Sequence, residues 1–299
     1  MRTRSRSRLR SASAADYVII TAVFILAFVS LYPFIYCLSY SLSSTQGILI
    51  KRVYFFPVDI TIQNYKIVFR NPTIAPAFGI SVMRTVVGVF YTCTITGLAS
   101  YALSKHDMPA RRLIALFLLI PMYISGGMVA TYVNIYQLGL FNKFAVYILP
   151  AGFVTFYMLI MRTYFDALPA SMEESAKLDG AGNLTVFIRI ILPLSMPIFA
   201  TVALLAGVTQ WNSWFDAMVY TQSSSLRPLQ MVLQGILMQN SAALMMRQAV
   251  QEGRGEANRV SPETIQMATL VITTVPIIMI YPFLQRYFVK GIMIGAVKA

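Results

Sequence analysis

Apolar residues run along this chain in long blocks, separated by short polar stretches. Crossing about 30 Å of hydrocarbon as a helix takes roughly 20 such residues in succession. On that criterion the pattern predicts six helices, over residues 17–40, 78–104, 113–132, 143–164, 194–215 and 264–288. Pro33, Pro121, Pro276 and Pro282 fall inside them, and a Gly126-Gly127 pair lies in the third. A β-barrel would need segments of about ten residues alternating in polarity, and the sequence has none. Helices are then the way a backbone is satisfied in lipid. The fold class is all-α, a polytopic membrane protein.

The polar stretches organise the rest. Residues 1–16 read as a basic tail, 17–288 as the membrane domain and 289–299 as a second tail. Two outer loops are expected, over 41–76 and 217–262, and one inner polar loop over 166–193. The first outer loop holds the aromatic cluster Tyr54–Phe56, Pro57 and a short amphipathic stretch, Ile62–Phe69, which reads as an interfacial helix. The second is rich in Gln, Ser, Met and Arg and ends in the polar run Gln251–Arg259. A connection above about 15 residues is uncommon without a function of its own, so this loop reads as a partner contact.

Composition narrows the class further. The chain is 57% hydrophobic and 12% charged over 299 residues, about half the charge of a soluble domain. That excludes a soluble enzyme. A net charge of +13 reads as basic inner loops attracted to anionic lipid. Nucleic-acid binding is not expected, because no basic, aromatic-interleaved soluble domain is present to carry it.

Orientation follows from the same charges. Arg2, Arg4, Arg6, Arg8 and Arg10 precede the first span, and Lys105, Arg111 and Arg112 fill the second connection. Arg162, Lys177 and Arg189 mark the fourth, and Arg286, Lys290 and Lys298 the end. Both termini are therefore expected in the cytoplasm. The basic start is not a signal peptide, because its apolar run is too long and bulky and ends in no small-residue cleavage site. Cys37 and Cys93 lie inside spans and read as small apolar residues.

Few side chains offer chemistry. Arg84 lies inside the second span, where a charge costs a few kcal/mol. It reads either as snorkelling to the outer interface or as a cation facing a pathway, suited to an acidic sugar. Trp211 and Trp214 close the fifth span, either as an interfacial aromatic belt or as stacking surfaces for sugar rings, with Gln210 and Asn212 as hydrogen-bonding groups. Asp216 falls at the same boundary, in headgroups. His106 is the sole histidine, so neither a metal site nor a catalytic triad is expected. No Gly-x-x-x-x-Gly-Lys-Ser/Thr sequence occurs, and the chain cannot cradle ATP phosphates by itself.

The inner loop is the informative exception. Asp166, Glu173, Glu174 and Asp179, four of the eleven acidic residues, lie in it. Pro169 suits a helix start, and Glu173 and Glu174 fall in the first turns, where the helix dipole favours negative charge. Asp179-Gly180 breaks that helix. A second helix is predicted over Asn183–Ile191, capped by Asn183 or Thr185 and ending before Pro193. The result is a short helix–turn–helix on the cytoplasmic face, presenting a docking surface to something soluble.

The spacing of this loop resembles a known signature. Glu174, Ala176 and Gly180, followed at a fixed distance by Ile190, Leu192 and Pro193, match the loop of the membrane permease subunits of binding-protein-dependent ABC importers. Ser175 replaces the usual second alanine. The likeness extends over nearly the whole chain and is nearest to the carbohydrate permeases related to the second membrane subunit of the maltose importer, in the branch handling oligosaccharides and polysaccharide fragments. Pro33-Phe34, Arg84-Thr85, Trp211-Asn212 and the tail Lys290–Lys298 support it.

The resemblance implies a six-span importer permease fold in a bacterial inner membrane, with no enzymatic activity of its own. It implies a second permease subunit, two ATP-binding subunits that hold ATP and Mg, and an extracytoplasmic solute-binding protein as partners. Glu173, Glu174, Ala176, Asp179, Gly180, Ile190, Leu192 and Pro193 would be the ATPase-coupling residues. Arg84, Gln210, Trp211, Asn212 and Trp214 would line the substrate pathway. The cargo would be an oligosaccharide, with acidic ones such as alginate fragments among the candidates. Three alternatives stand beside this: a permease for amino acids or peptides, whose general pattern fits the long outer loop and the tail less well; an ion-coupled secondary transporter, which would need ionisable residues deep in the spans; and a non-transporting membrane scaffold, since a docking loop alone does not prove flux.

Overall fold

The computed structural model describes residues 14–238 and 261–296. The arginine-rich start, the Gln251–Arg259 run and Lys298 lie outside the described residues. Among the described residues the fold is helical, and one isolated antiparallel bridge joins Ser43 to Ile60. In chain order the helices are α1 (Ala14–Ser41), α2 (Thr45–Ile50), α3 (Gln63–Arg70), α4 (Ile74–Ser104), α5 (Arg111–Tyr123), α6 (Gly127–Gln137) and α7 (Thr155–Asp166). They continue as α8 (Ser171–Leu178), α9 (Asn183–Val186), α10 (Leu192–Leu194), α11 (Met196–Asn212) and α12 (Phe215–Tyr220). Then come α13 (Leu229–Met238) and α14 (Pro262–Ala296).

Three of these are long and apolar enough to cross a membrane: α1, α4 and the Pro262–Ile280 part of α14. Two bent pairs raise the number to at most five, α5 with α6 at 118° and α9–α10 with α11 at 82°. Three of the six expected spans therefore take another form, the fifth being the 17-residue α11 behind the second of those bends. The third breaks after Tyr123, and Gly127 restarts the chain with φ +75°, a conformation glycine adopts without penalty. The fourth, expected over Lys143–Tyr164, is a 3-10 turn at Phe144–Tyr147 followed by the 12-residue α7. Pro150 and Gly152 stand between them, and a Cβ on Gly152 would lie 2.0 Å from the Tyr91 ring. Close packing of the chain on that ring takes the place of a continuous helix.

The described residues form two compact units, residues 14–68 with 261–271, and residues 69–238 with 272–296. In the first unit, no residue of the most apolar stretch of α1 is buried. Its end is fastened to the loop that follows. Ser39 Oγ donates to Phe55 O at 2.7 Å, and the buried Asn64 amide donates to Ser41 O at 2.8 Å and Ser43 O at 3.0 Å. The α3 helix carries this asparagine, so the Ile62–Phe69 stretch also pins the preceding turn.

In the second unit α4 packs between α7 and α11. Its buried stripe is small and polar: Ser81, Arg84, Gly88, Thr92, Thr96, Ser100 and Ser104 recur three or four residues apart. Val86 and Phe90 point outward and are 63% and 72% exposed. This inversion of a soluble helix follows from the solvent, because lipid offers no drive to bury leucine and helices associate through small residues and hydrogen bonds. Gly88 and Gly97 set the approach of α11. A Cβ at either would lie 2.8 Å from Gln210 or from Phe199. Met161, Val186, Ile191 and Val202 fill the shared core.

Candidate functional site

The inner loop is built as a short helix fastened at one end and exposed at the other. Gly180 takes φ +81°, its N–H donates to Lys177 O at 3.0 Å, and Ala181 N–H donates to Ala176 O at 2.9 Å. These paired bonds end α8 by satisfying its last carbonyls, the arrangement that glycine permits beyond a helix C-terminus. Ala176 and Ala181 accompany the turn on its inner side, both resting on the core cluster.

The signature residues sort by direction. Ala176, Ile190 and Leu192 are half-buried against the core. Glu174, Asp179, Gly180 and Pro193 are exposed. Ser175 is exposed too, and its hydroxyl donates to Ser171 O at 2.9 Å, so the exchange for alanine costs the packing nothing. Glu173 faces the other way and pairs with Lys105 at the end of α4, while the Lys105 ammonium sits 4.0 Å from the centre of the Tyr101 ring. Asp166 lies 3.5 Å from Arg111 and 3.6 Å from Arg162. The cations read from sequence as markers of orientation are thus partners of the loop's carboxylates.

Two local expectations are corrected. Neither Asn183 nor Thr185 caps the second helix; Gly182 stands at its start with no side-chain cap. That helix does not stop before Pro193. It passes through a π turn at Phe187–Ile191 and continues as α10. A proline ring clashes with the carbonyl four residues back in a regular helix, and a wider π turn precedes it here. Beside the exposed carboxylates, Leu178 is 89% exposed and Leu184 61%. In the sequence this apolar surface was legible only as two leucines in a polar loop.

The residues around Arg84 are tightly connected. Arg84 is 1% exposed, and its Nη2 lies 2.5 Å from Asp216 Oδ2. Its Nε and Nη2 also donate to Gln210 Oε1 at 3.2 and 3.1 Å, Nη1 donates to Ser213 O at 3.2 Å, and the guanidinium stacks 4.3 Å from the Tyr147 ring centre. Arg84 therefore does not snorkel, and Asp216 is its partner rather than a headgroup neighbour. A cation inside a span calls for such a counter-charge, which was the available clue. Trp211 is buried and donates from Nε1 to Thr273 O at 3.0 Å, so it is neither in a belt nor open to a ring. It borders an apolar cavity of about 590 Å³ with Phe90, Phe199 and Pro276. Trp214 is half-buried and Asn212 exposed.

The model of the family described as "Binding-protein-dependent transport system inner membrane component" matches residues 86–294, from within α4 through the inner loop to α14. The chain belongs to that family. The chain is similar to the polygalacturonan/rhamnogalacturonan transport system permease protein YtcP of Bacillus subtilis, 31% identical over 95% of this chain and 98% of that protein. Protein LplC of the same organism is 37% identical over 90% of each. Among solved structures, a chain from the crystal structure of a bacterial ABC transporter involved in the import of the acidic polysaccharide alginate superposes with a TM-score of 0.82. It is 31% identical, with 93% of this chain and 99% of that chain covered. An inner membrane component of a binding-protein-dependent transport system is a translocation subunit, and the α8 knuckle lies within the matched region.

Proposed function

We propose that this permease carries oligosaccharides inward as part of an ATP-driven, binding-protein-dependent importer, with acidic polysaccharide fragments as the cargo. The observation that carries the proposal is the sorting of the inner loop. Ala176, Ile190 and Leu192 fasten it to the bundle, whereas Glu174, Leu178, Asp179 and Gly180 stand free on a rigid turn. A surface held this firmly and left uncovered suits a docking partner that pushes on it. That partner is a pair of ATP-binding subunits, which bind and hydrolyse ATP with Mg; this chain supplies none of that chemistry. A second permease subunit completes the pathway, and an extracytoplasmic solute-binding protein delivers the cargo.

The acidic cargo is supported by two relatives whose names concern polyuronates, the polygalacturonan/rhamnogalacturonan permease and the alginate transporter. Arg84 is neutralised by Asp216 and offers no free charge to a uronate, so recognition of acidity is assigned to the binding protein. Asn212 and Trp214 face the cargo at the outer mouth, and Arg84, Gln210 and Trp211 hold them from behind. Both termini and the α8 knuckle lie in the cytoplasm in this topology. ATP-driven closure of the motor displaces α8 and shifts the bundle between inward- and outward-open states, because the two states bind motor and loaded binding protein unequally.

The test is reconstitution with the subunits encoded beside it. Uptake of an oligogalacturonate or an oligoalginate into vesicles should require both ATP and the binding protein. Flux that follows a proton or sodium gradient without an ATPase would overturn the reading in favour of secondary transport, and ATP-driven flux of amino acids alone would overturn the cargo.

A further inference from the structure

We propose that the basic cavity at the α4–α5 turn binds the headgroup of an anionic phospholipid from the inner leaflet. The cavity has a volume of about 650 Å³, and its lining includes the basic His106, Arg111, Arg112 and Arg162 together with Leu113, Leu116 and Leu119. The inference takes the cytoplasmic placement of this turn from the function proposed above.

The charges do not cancel. Arg111 and Arg162 share the single carboxylate Asp166. Arg111 also donates from Nε to Leu103 O at 2.7 Å and lies 3.0 Å from His106 Nδ1 through Nη1. Those bonds fix its guanidinium in the wall. Arg112 is exposed and has no hydrogen bond or ion pair among the described residues. Three guanidinium groups therefore face one carboxylate, leaving two positive charges. Asp107, on the same turn, is exposed and does not line the cavity. Ala110, with φ 55°, offers no side chain to cap the start of α5, so backbone N–H groups there add to the positive end.

The shape then distinguishes among anions. Arg112 and Leu119 are separated by about 10 Å along α5 at 1.5 Å per residue. Over that length the wall changes from cationic to apolar, and Leu113, Leu116 and Phe117 are 69%, 60% and 70% exposed on the same helix. A free phosphate would leave the leucine end unused, and a soluble protein surface would gain little from it. A phosphodiester carrying acyl chains uses both ends. Basic pockets between spans on the cytoplasmic side are suited to such headgroups. Through Arg111 and Arg162 the bound lipid would hold Asp166, where the chain leaves α7 for the docking knuckle.

The full chain, purified with its neighbouring subunits, is delipidated and placed in nanodiscs of phosphatidylcholine alone or with phosphatidylglycerol. Native mass spectrometry then counts the lipid retained. Retained phosphatidylglycerol should fall about fivefold in Arg112→Gln, the worth of one basic side chain near an anionic surface, and stay unchanged in Arg112→Lys. Inorganic phosphate should not displace it. Equal retention in Arg112→Gln, complete displacement by inorganic phosphate, or crosslinking of the cavity to another subunit would each overturn the site. Since the lipid count needs no ATP, loss of the importer reading through failed subunit co-purification would leave this measurement standing on the single chain.

Discussion

Arg84 of α4 and Asp216 of α12 lie 132 positions apart in sequence and meet as an ion pair at 2.5 Å. The pair joins the second span to the corner after α11, with Gln210 bridging to Tyr147 O at 3.0 Å. Removing one member strands the other. Breaking a buried pair costs about 3–5 kcal/mol; removing Arg84 falls at the lower end, because it leaves an Asp216 that is 24% exposed, whereas removing Asp216 strands an Arg84 that is 1% exposed. Asp216→Asn and Arg84→Gln should each lower the thermal midpoint in detergent, while Arg84→Met combined with Asp216→Leu should recover part of the loss. Single variants that melt like the parent would show that the pair holds nothing.

Gly180 meets no atom within 4 Å at the position of a Cβ. The cost of a side chain there is conformational alone. Alanine in the left-handed region costs about 1–2 kcal/mol, and β-branched valine more. Gly180→Ala should weaken transport-linked ATPase modestly and Gly180→Val should impair assembly or abolish coupling, with the bundle still folded. Full ATPase stimulation in Gly180→Val would remove the requirement for this turn.

Leu178 is 89% exposed and touches none of the core, so its substitution tests docking without touching the fold. Leu178→Asp should leave the melting curve intact while sharply reducing co-purification of the ATP-binding subunits, with Glu174→Ala weaker in the same direction. If capture of those subunits is unaltered, the knuckle is not the docking surface.

Glu173 and Lys105 tie α8 to the end of α4. Pairs near the surface contribute at most about 1 kcal/mol, so Glu173→Gln should scarcely move the melting temperature. Its signature should be local: faster hydrogen exchange over α8, reproduced in the parent at high salt, where the ion pair is screened. Unchanged exchange would assign the position of α8 to Ala176 packing alone.

Apolar run length, the charge deficit and the Glu174–Pro193 spacing determined by themselves that this is a helical membrane subunit of the importer family. Those features are local, and lipid enforces them, since a backbone in hydrocarbon has few options. The turn at Gly180 was readable for the same reason, because one residue's allowed φ decides it. What only the tertiary structure decided was pairing. Composition could not say that Arg84 finds Asp216, that Lys105 finds Glu173, or that Trp211 donates to Thr273 O instead of facing sugar or lipid. Nor could it show that the fourth apolar block packs on Tyr91 instead of forming one helix. Apolar helices look alike on every side in sequence, and which face turns inward is set by close packing of small residues across the bundle, a property of helices together and of none alone.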